Sequence, residues 1–231
     1  MARAFLQQRL SCYYWFQYNV CFIGSRPFIR SAFDFQRRIE MKALEEKILK
    51  EGIVLPGEIL KVGSFLNHRI DIDFLMEMGR EICRLFKDSE INKILTIEAS
   101  GSAIAVAVAA QMHGPVVFAK KNKSGNISGD VYSSVVHSYT HGSDYNVVVS
   151  REYLDSSDKV LIIDDFLANG KAIDGLLDII SQAGASAIGA CCAIEKGYQG
   201  GGDRLRESGL HVESLAIIES MSDSGITFRE Q

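Results

Sequence analysis

The stretch Val160–Ala172, VLIIDDFLANGKA, constrains the fold more than any other part of the chain. Its unbroken apolar run, Val160 to Ile163, suits a strand buried on both faces of a parallel sheet. The run ends in two carboxylates, Asp164 and Asp165. A parallel strand delivers its carboxyl end to the ligand side of an open α/β sheet. Phe166-Leu167-Ala168-Asn169-Gly170 then leads into a helix beginning at Lys171. Small residues at Ala168 and Gly170 let backbone N–H groups approach an anion, and the helix N-terminus behind them adds a favourable dipole. The stretch therefore sets an acidic grip, fit for vicinal hydroxyls or a metal, beside a phosphate cradle. A ribose 5-phosphate needs both. No G-x-x-x-x-G-K-[ST] loop occurs in the sequence. Taken alone, the residues leave open a plain buried strand that ends in a solvated acid pair.

The rest of the chain alternates strand and helix patterns from Ile91 to Ile218, which predicts a doubly wound, mainly parallel α/β sheet. Asp73–Phe86 reads as a helix with Phe74, Leu75, Met78, Ile82, Leu85 and Phe86 inward. Ile91–Ile97 reads as a strand, followed by the loop Glu98-Ala99-Ser100-Gly101 and a small-residue helix, Ser102–Met112. That loop is a second anion cradle or a plain α/β connection. After a strand at Pro115–Ala119 come Lys120, Lys121 and Lys123, and then a polar segment, Ser124–Gly142. A basic approach and a polar lid fit closure over a polyanion. The same residues also read as a hairpin, Val131–Ser138 with Asn146–Ser150, and both can hold. Lys171–Ala183 is a helix, Ala187–Glu195 a buried strand, Gly200–Gly202 a flexible turn, Asp203–Ser208 a short helix and Val212–Ile218 a last strand. Upstream, 41–51 is an amphipathic helix with Leu44, Ile48 and Leu49 on one face, and Ile53–Leu55 is a short strand broken by Pro56-Gly57. Asn67 follows Phe65-Leu66 and reads as a buried polar residue: a turn residue before the next helix, or a donor and acceptor for a purine edge. His68 reads as a turn residue. His137 and His141 have no metal-like spacing, and no metal ligand is assigned.

The acid pair and its following loop resemble the phosphoribosyl pyrophosphate (PRPP) motif of the type I phosphoribosyltransferases. Asn169 and Ala172 stand where that motif commonly has hydroxyl residues. LANG followed by a polar residue and alanine is similar to the bacterial xanthine-using branch of the family, and the resemblance runs almost without gaps over 41–231. It implies a single type I phosphoribosyltransferase domain with a small hood (41–70 and 196–204) and a flexible lid. It implies purine salvage by transfer of the 5-phosphoribosyl group from PRPP to xanthine, giving XMP and pyrophosphate. In that reading Asp164 and Asp165 are the catalytic pair. Ala168, Asn169, Gly170, Lys171 and Ala172, with Ser100, Gly101, Lys120 and Lys121, bind PRPP. Leu60, Asn67 and Lys196 hold the base. Mg²⁺ arrives with PRPP or pyrophosphate, and the partners are PRPP, xanthine and a second copy in a cytoplasmic homodimer. Two alternatives stand beside this reading. One is a purine-responsive transcription regulator that binds PRPP on the same fold; the other is the same enzyme class acting on guanine or hypoxanthine.

Charge bears on the alternatives. The net charge of −4 argues against a general nucleic-acid-binding surface. No apolar run approaches the ~18 residues that would span a membrane. The five cysteines are odd in number and lack zinc spacing; Cys191 and Cys192 lie in an apolar run and read as buried thiols of a reducing compartment. Residues 1–40 stand apart, with six Arg, no Lys, and Asp34 and Glu40 as their acids. Ten of the 21 aromatics fall there too, including Tyr13-Tyr14-Trp15-Phe16. An Arg-rich, acid-poor segment can be a transit peptide. The favoured expectation is a non-native or disordered leader, since MKALEEKILKEGIVLPGEILKVGSFLNH from Met41 looks like the start of the resembling enzymes.

Overall fold

The computed structural model describes residues 42–121, 129–138, 143–222 and 225–231. The expected leader, Lys123 and the two ends of the lid segment, 124–128 and 139–142 with His141, lie outside them. The elements in chain order are helix α1 (42–51), strands β1 (Ile53–Leu55) and β2 (Ile59–Lys61), a π-helical turn at Gly63–Asn67, and α2 (Ile72–Leu85). Then come β3 (Lys93–Ile97), α3 (Ser102–Met112), β4 (Val116–Lys121), β5 (Val131–Ser138) and β6 (Ser143–Ser150). β7 (Lys159–Leu167), α4 (Lys171–Gln182), β8 (Ser186–Lys196), α5 (Gly201–Glu207), β9 (Val212–Ser222) and β10 (Gly225–Phe228) complete the chain.

One eight-stranded sheet runs in the order β10-β9-β8-β7-β3-β4-β6-β5. Its centre, β9-β8-β7-β3-β4, is parallel, and each edge is antiparallel: β10 on one side, the β6–β5 hairpin on the other. The chain leaves β3 for β4 on one side and leaves β7 for β8 and β9 on the other. Strand order therefore reverses between β3 and β7, and a crevice opens there at the carboxyl ends. β7 is a buried strand, as its apolar run predicts, with Val160 to Ile163 excluded from solvent. It extends further than expected: Asp164 and Phe166 pair with Cys192 and Ile194 of β8, so the acid pair lies inside the ladder.

The sheet carries a core on each face. One gathers Leu44 and Ile48 of α1 with Leu75, Met78 and Ile82 of α2 and Ile104 and Val108 of α3. The other gathers Ile173, Leu176, Ile179 and Ile180 of α4 with Val136, Val147 and Val149 of the hairpin. Leu49 does not join the first core; it is 59% exposed. One residue beyond Ile48 turns 100° round the helix and off the buried stripe. The N-terminus of α2 is capped by Asp71, whose carboxylate accepts the Phe74 N–H at 3.3 Å. Lys47 donates to the same carboxylate at 2.8 Å and joins α1 to α2. Cys191 and Cys192 are buried free thiols, as expected.

The hairpin Val131–Ser138 is present with its expected bounds, and its partner begins three residues earlier, at Ser143. The last parallel strand runs on to Ser222 and turns into β10, which the alternation pattern does not signal. The glycine triplet is not a flexible turn: Gly201 and Gly202 are buried and form the first turn of α5. Close packing reverses glycine's poor helix propensity, since a Cβ on Gly202 would meet the Glu195 carboxylate at 2.0 Å. β1 and β2 form a separate two-stranded sheet that, with the turn after it, makes the hood.

Candidate active site

Two loops meet at the crevice, one following β3 and one following β7. Asp164 and Asp165 are both buried, and they differ in their contacts. Asp164 faces inward, and its Oδ1 accepts the Asp165 N–H at 2.9 Å. Burial, reinforced by the carboxylate of Asp165, pushes the Asp164 carboxyl well above the usual range, while the ammonium of Lys121 works against the rise. Asp165, equally buried, takes its partners from other elements. Its Oδ1 accepts from Ser100 Oγ at 3.0 Å, and its Oδ2 accepts from Asn67 Nδ2 at 3.4 Å. One carboxylate thus joins the loop after β3, the strand end of β7 and the hood.

Gly101 explains how the two loops come so close. A Cβ there would stand 3.1 Å from the Asp164 backbone and 2.5 Å from Thr96 Oγ1. Thr96 Oγ1 is itself buried at the crevice floor, with no hydrogen-bond partner among the described residues. The peptide between Glu98 and Ala99 is cis. Glu98 accepts from Lys120 Nζ at 2.7 Å and from the Lys121 N–H at 3.2 Å. Those contacts hold the Glu98 carboxyl below the usual range. Lys121 also lies over the Tyr145 ring, 5.3 Å from its centroid. The two lysines therefore border the loop, Lys120 paired within it and Lys121 turned to the acid pair and the hairpin.

The 168–172 loop has the form its sequence predicts. Gly170 adopts φ +82°, in the left-handed region, and begins α4 as its N-cap. Asn169 Oδ1 accepts the Lys171 N–H at 3.1 Å, so the side chain standing in a hydroxyl position folds back to shape the loop. Lys171 Nζ lies 3.5 Å from Asp174, and Ala172 packs at the edge of the second core.

The base-site candidates divide. Asn67 is exposed rather than buried, and it is not the cap of α2. The π-helical turn buries Phe65 and Leu66 and turns the next side chain outward, where it meets Asp165. Lys196, at the end of β8, is half-buried, and desolvation lowers its pKa. Its Nζ donates to the carbonyl of Glu58 at 2.7 Å and ties the hood to the main sheet. Leu60 is buried in the first core.

Sequence reasoning missed several participants. Thr96, Glu98 and Tyr145 reach the crevice through pairing that no local pattern encodes. Arg204 donates to the carbonyl of Asn169 at 3.2 Å from α5, 35 residues along the chain. Glu195 is wholly buried and holds Arg206 at 3.0 and 2.6 Å and Ser214 at 2.6 Å. An acid ending an apolar strand followed by D-R-L-R was the available signal for that last network. Among the described residues no group of three or more His, Cys, Asp or Glu could hold a metal. No helix among them is long and apolar enough to cross a membrane.

Residues 65–228 match the phosphoribosyl transferase domain family. The chain is 52% identical over 191 residues to a xanthine phosphoribosyltransferase of Lachnoclostridium phytofermentans, spanning 82% of this chain and 98% of that protein. It is 50% identical over 190 residues to the one of Clostridioides difficile, spanning 82% of this chain and 100% of that protein. Among solved structures, the adenine phosphoribosyltransferase of Trypanosoma brucei superposes with a TM-score of 0.66 at 17% identity, over 79% of this chain and 82% of that one. That of Rhodothermus marinus superposes with a TM-score of 0.63 at 19% identity, over 78% and 99%. The two structures share its fold, and by the family match and the extent of identity this chain belongs to the phosphoribosyltransferases.

Proposed function

We propose that the protein transfers the 5-phosphoribosyl group of PRPP to a ring nitrogen of xanthine, forming XMP and pyrophosphate in purine salvage. The contact that carries this reading is Asp165 between Ser100 and Asn67. It puts one carboxylate at the junction of three expected subsites: pyrophosphate at Ser100 and Gly101, ribose at the acid pair, base at the hood. The similarity to xanthine-using enzymes over nearly their whole length supports the choice of base.

The mechanism follows from charge. As pyrophosphate departs, the anomeric carbon gains positive character. Asp164 and Asp165 hold the ribose hydroxyls and stabilise that charge from buried positions. Backbone N–H groups of 168–172 and the α4 N-terminus hold the 5-phosphate. Lys120 and Lys121 face the leaving group. The base needs alignment rather than a protein nucleophile. Two carboxylates, with no larger ligand cluster among the described residues, fit Mg²⁺ carried by the substrate's own phosphates, with Asp164 or Asp165 supplying protein oxygen. When bound, Mg²⁺ would offset charge on the departing pyrophosphate. Lys196 donates to an oxo group and Asn67 reads the ring edge. Adenine presents an amino donor where xanthine has an oxo acceptor, so it meets Lys196 donor to donor.

Specificity constants for xanthine, guanine, hypoxanthine and adenine with PRPP test the assignment. Xanthine should be used best, guanine less and adenine least. Equal use of adenine and xanthine would replace this reading with a general purine transferase. Salt-dependent binding to DNA would favour the regulator instead. The same proposal includes a cytoplasmic homodimer, for which molar mass by light scattering is the check: a monomer mass at working concentration overturns the dimer.

A further inference from the structure

Helix α5 lies against the back of the 168–172 loop. A Cβ on Gly201 would stand 2.2 Å from the Ala168 carbonyl oxygen and 2.6 Å from the Gly170 nitrogen, so no other side chain fits there without moving the loop. Arg204, one turn later, closes the contact. A single nitrogen, Nη2, donates to the Asn169 carbonyl at 3.2 Å and to the two Asp174 carboxylate oxygens at 3.1 and 2.9 Å. The same nitrogen lies 2.7 Å from where a Cβ on Gly170 would stand.

Asp174 gives this contact a function beyond packing. It occupies the first turn of α4, the end that the loop presents to an anion. A carboxylate there favours the helix dipole and opposes a bound phosphate dianion. Lys171 lies 3.5 Å from it and Arg204 2.9 Å, so the nearer cation comes from outside the motif. We propose that Arg204 is a positioning residue for the 5-phosphate. It fixes the loop backbone through Asn169 and masks the charge of Asp174, and it does not itself touch the ligand. This rests on reading 168–172 as the phosphate loop.

The test is steady-state kinetics of the full chain. Arg204→Ala should raise KM for PRPP about tenfold, the scale of one lost charge-assisted contact. The kcat and the KM for xanthine should stay within about twofold, since the transition-state charge is not touched. The ratio of variant to parent KM should shrink as ionic strength rises, because salt screens the partly exposed Asp174 carboxylate. Arg204→Lys should restore much of the loss, because one nitrogen carries all three contacts. Asp174→Asn placed in the Arg204→Ala background should also lower KM. An unchanged KM for PRPP in Arg204→Ala, or a fall confined to kcat, overturns the role. Gly170→Val separates the two readings. If it leaves KM for PRPP unchanged, the phosphate-loop assignment fails and the role of Arg204 with it. If it raises KM while Arg204→Ala does not, only the role of Arg204 fails.

Discussion

In the proposed mechanism Asp164 sets folding against catalysis. Its carboxyl is raised by burial and by Asp165, so the folded state binds its proton more tightly than the unfolded chain does. The resulting stabilisation is complete below the ordinary value of 3.8 and is lost as pH rises through the raised one. At neutral pH Asp164→Asn should therefore raise the melting temperature of the ligand-free protein, and the gain should fade on acidification. The same variant should lose about 10²–10³-fold in kcat, the scale of one removed electrostatic stabiliser. Melts across pH, paired with turnover, check both; a variant less stable at neutral pH would contradict the burial argument. Lys196→Ala should lower kcat/KM for xanthine about tenfold and narrow the gap to adenine, as expected for one charged donor lost. The acid pair was legible because an apolar run running straight into two carboxylates has few other uses. The exposure of Asn67 was not. Its neighbours Phe65 and Leu66 are buried, and a π-helical turn, which hydropathy does not encode, carries the next side chain to Asp165.

At the scale of elements, α5 holds the greatest departure from local preference. Glu195 is wholly buried, and Arg206 with Ser214 satisfies its carboxylate. Asp203 links Arg206 onward to Arg229 at 2.9 Å, which in turn holds Glu219 at 2.7 Å. Arg206→Ala leaves a buried carboxylate without its cation and should cost about 3–5 kcal/mol of stability. Urea unfolding measures it, and a loss under about 1 kcal/mol would place the pair among ordinary surface bridges. The strands and long helices were legible because period and burial agree along them. The glycine turn of α5 was misread because its helicity depends on two distant surfaces, the 168–172 loop and Glu195. The edge strand β10 escaped because it is only four residues long: Ile226 and Phe228 alternate toward the first core, in a run too short to stand out in the sequence.

Across the whole molecule, the curated relatives align over about four-fifths of the chain and over nearly all of their own lengths. Deleting residues 1–40 should accordingly leave kcat, KM and melting temperature unchanged; a clear drop in any of them would show that the segment supports the domain. The sheet order was legible only in outline. Alternation implied parallel strands, but the reversal between β3 and β7 is a pairing choice made across the chain. The hood has a further consequence, because its two strands belong to no other sheet. In the proposed function the donor half of the reaction is anchored in the main framework, whereas part of the acceptor half rides on an attachment held by tethers such as Lys196 to Glu58. On that assignment such a chain can adjust its nucleobase preference by changes confined to one small attachment and the end of the strand it is tethered to, while its machinery for handling the activated sugar passes on unaltered.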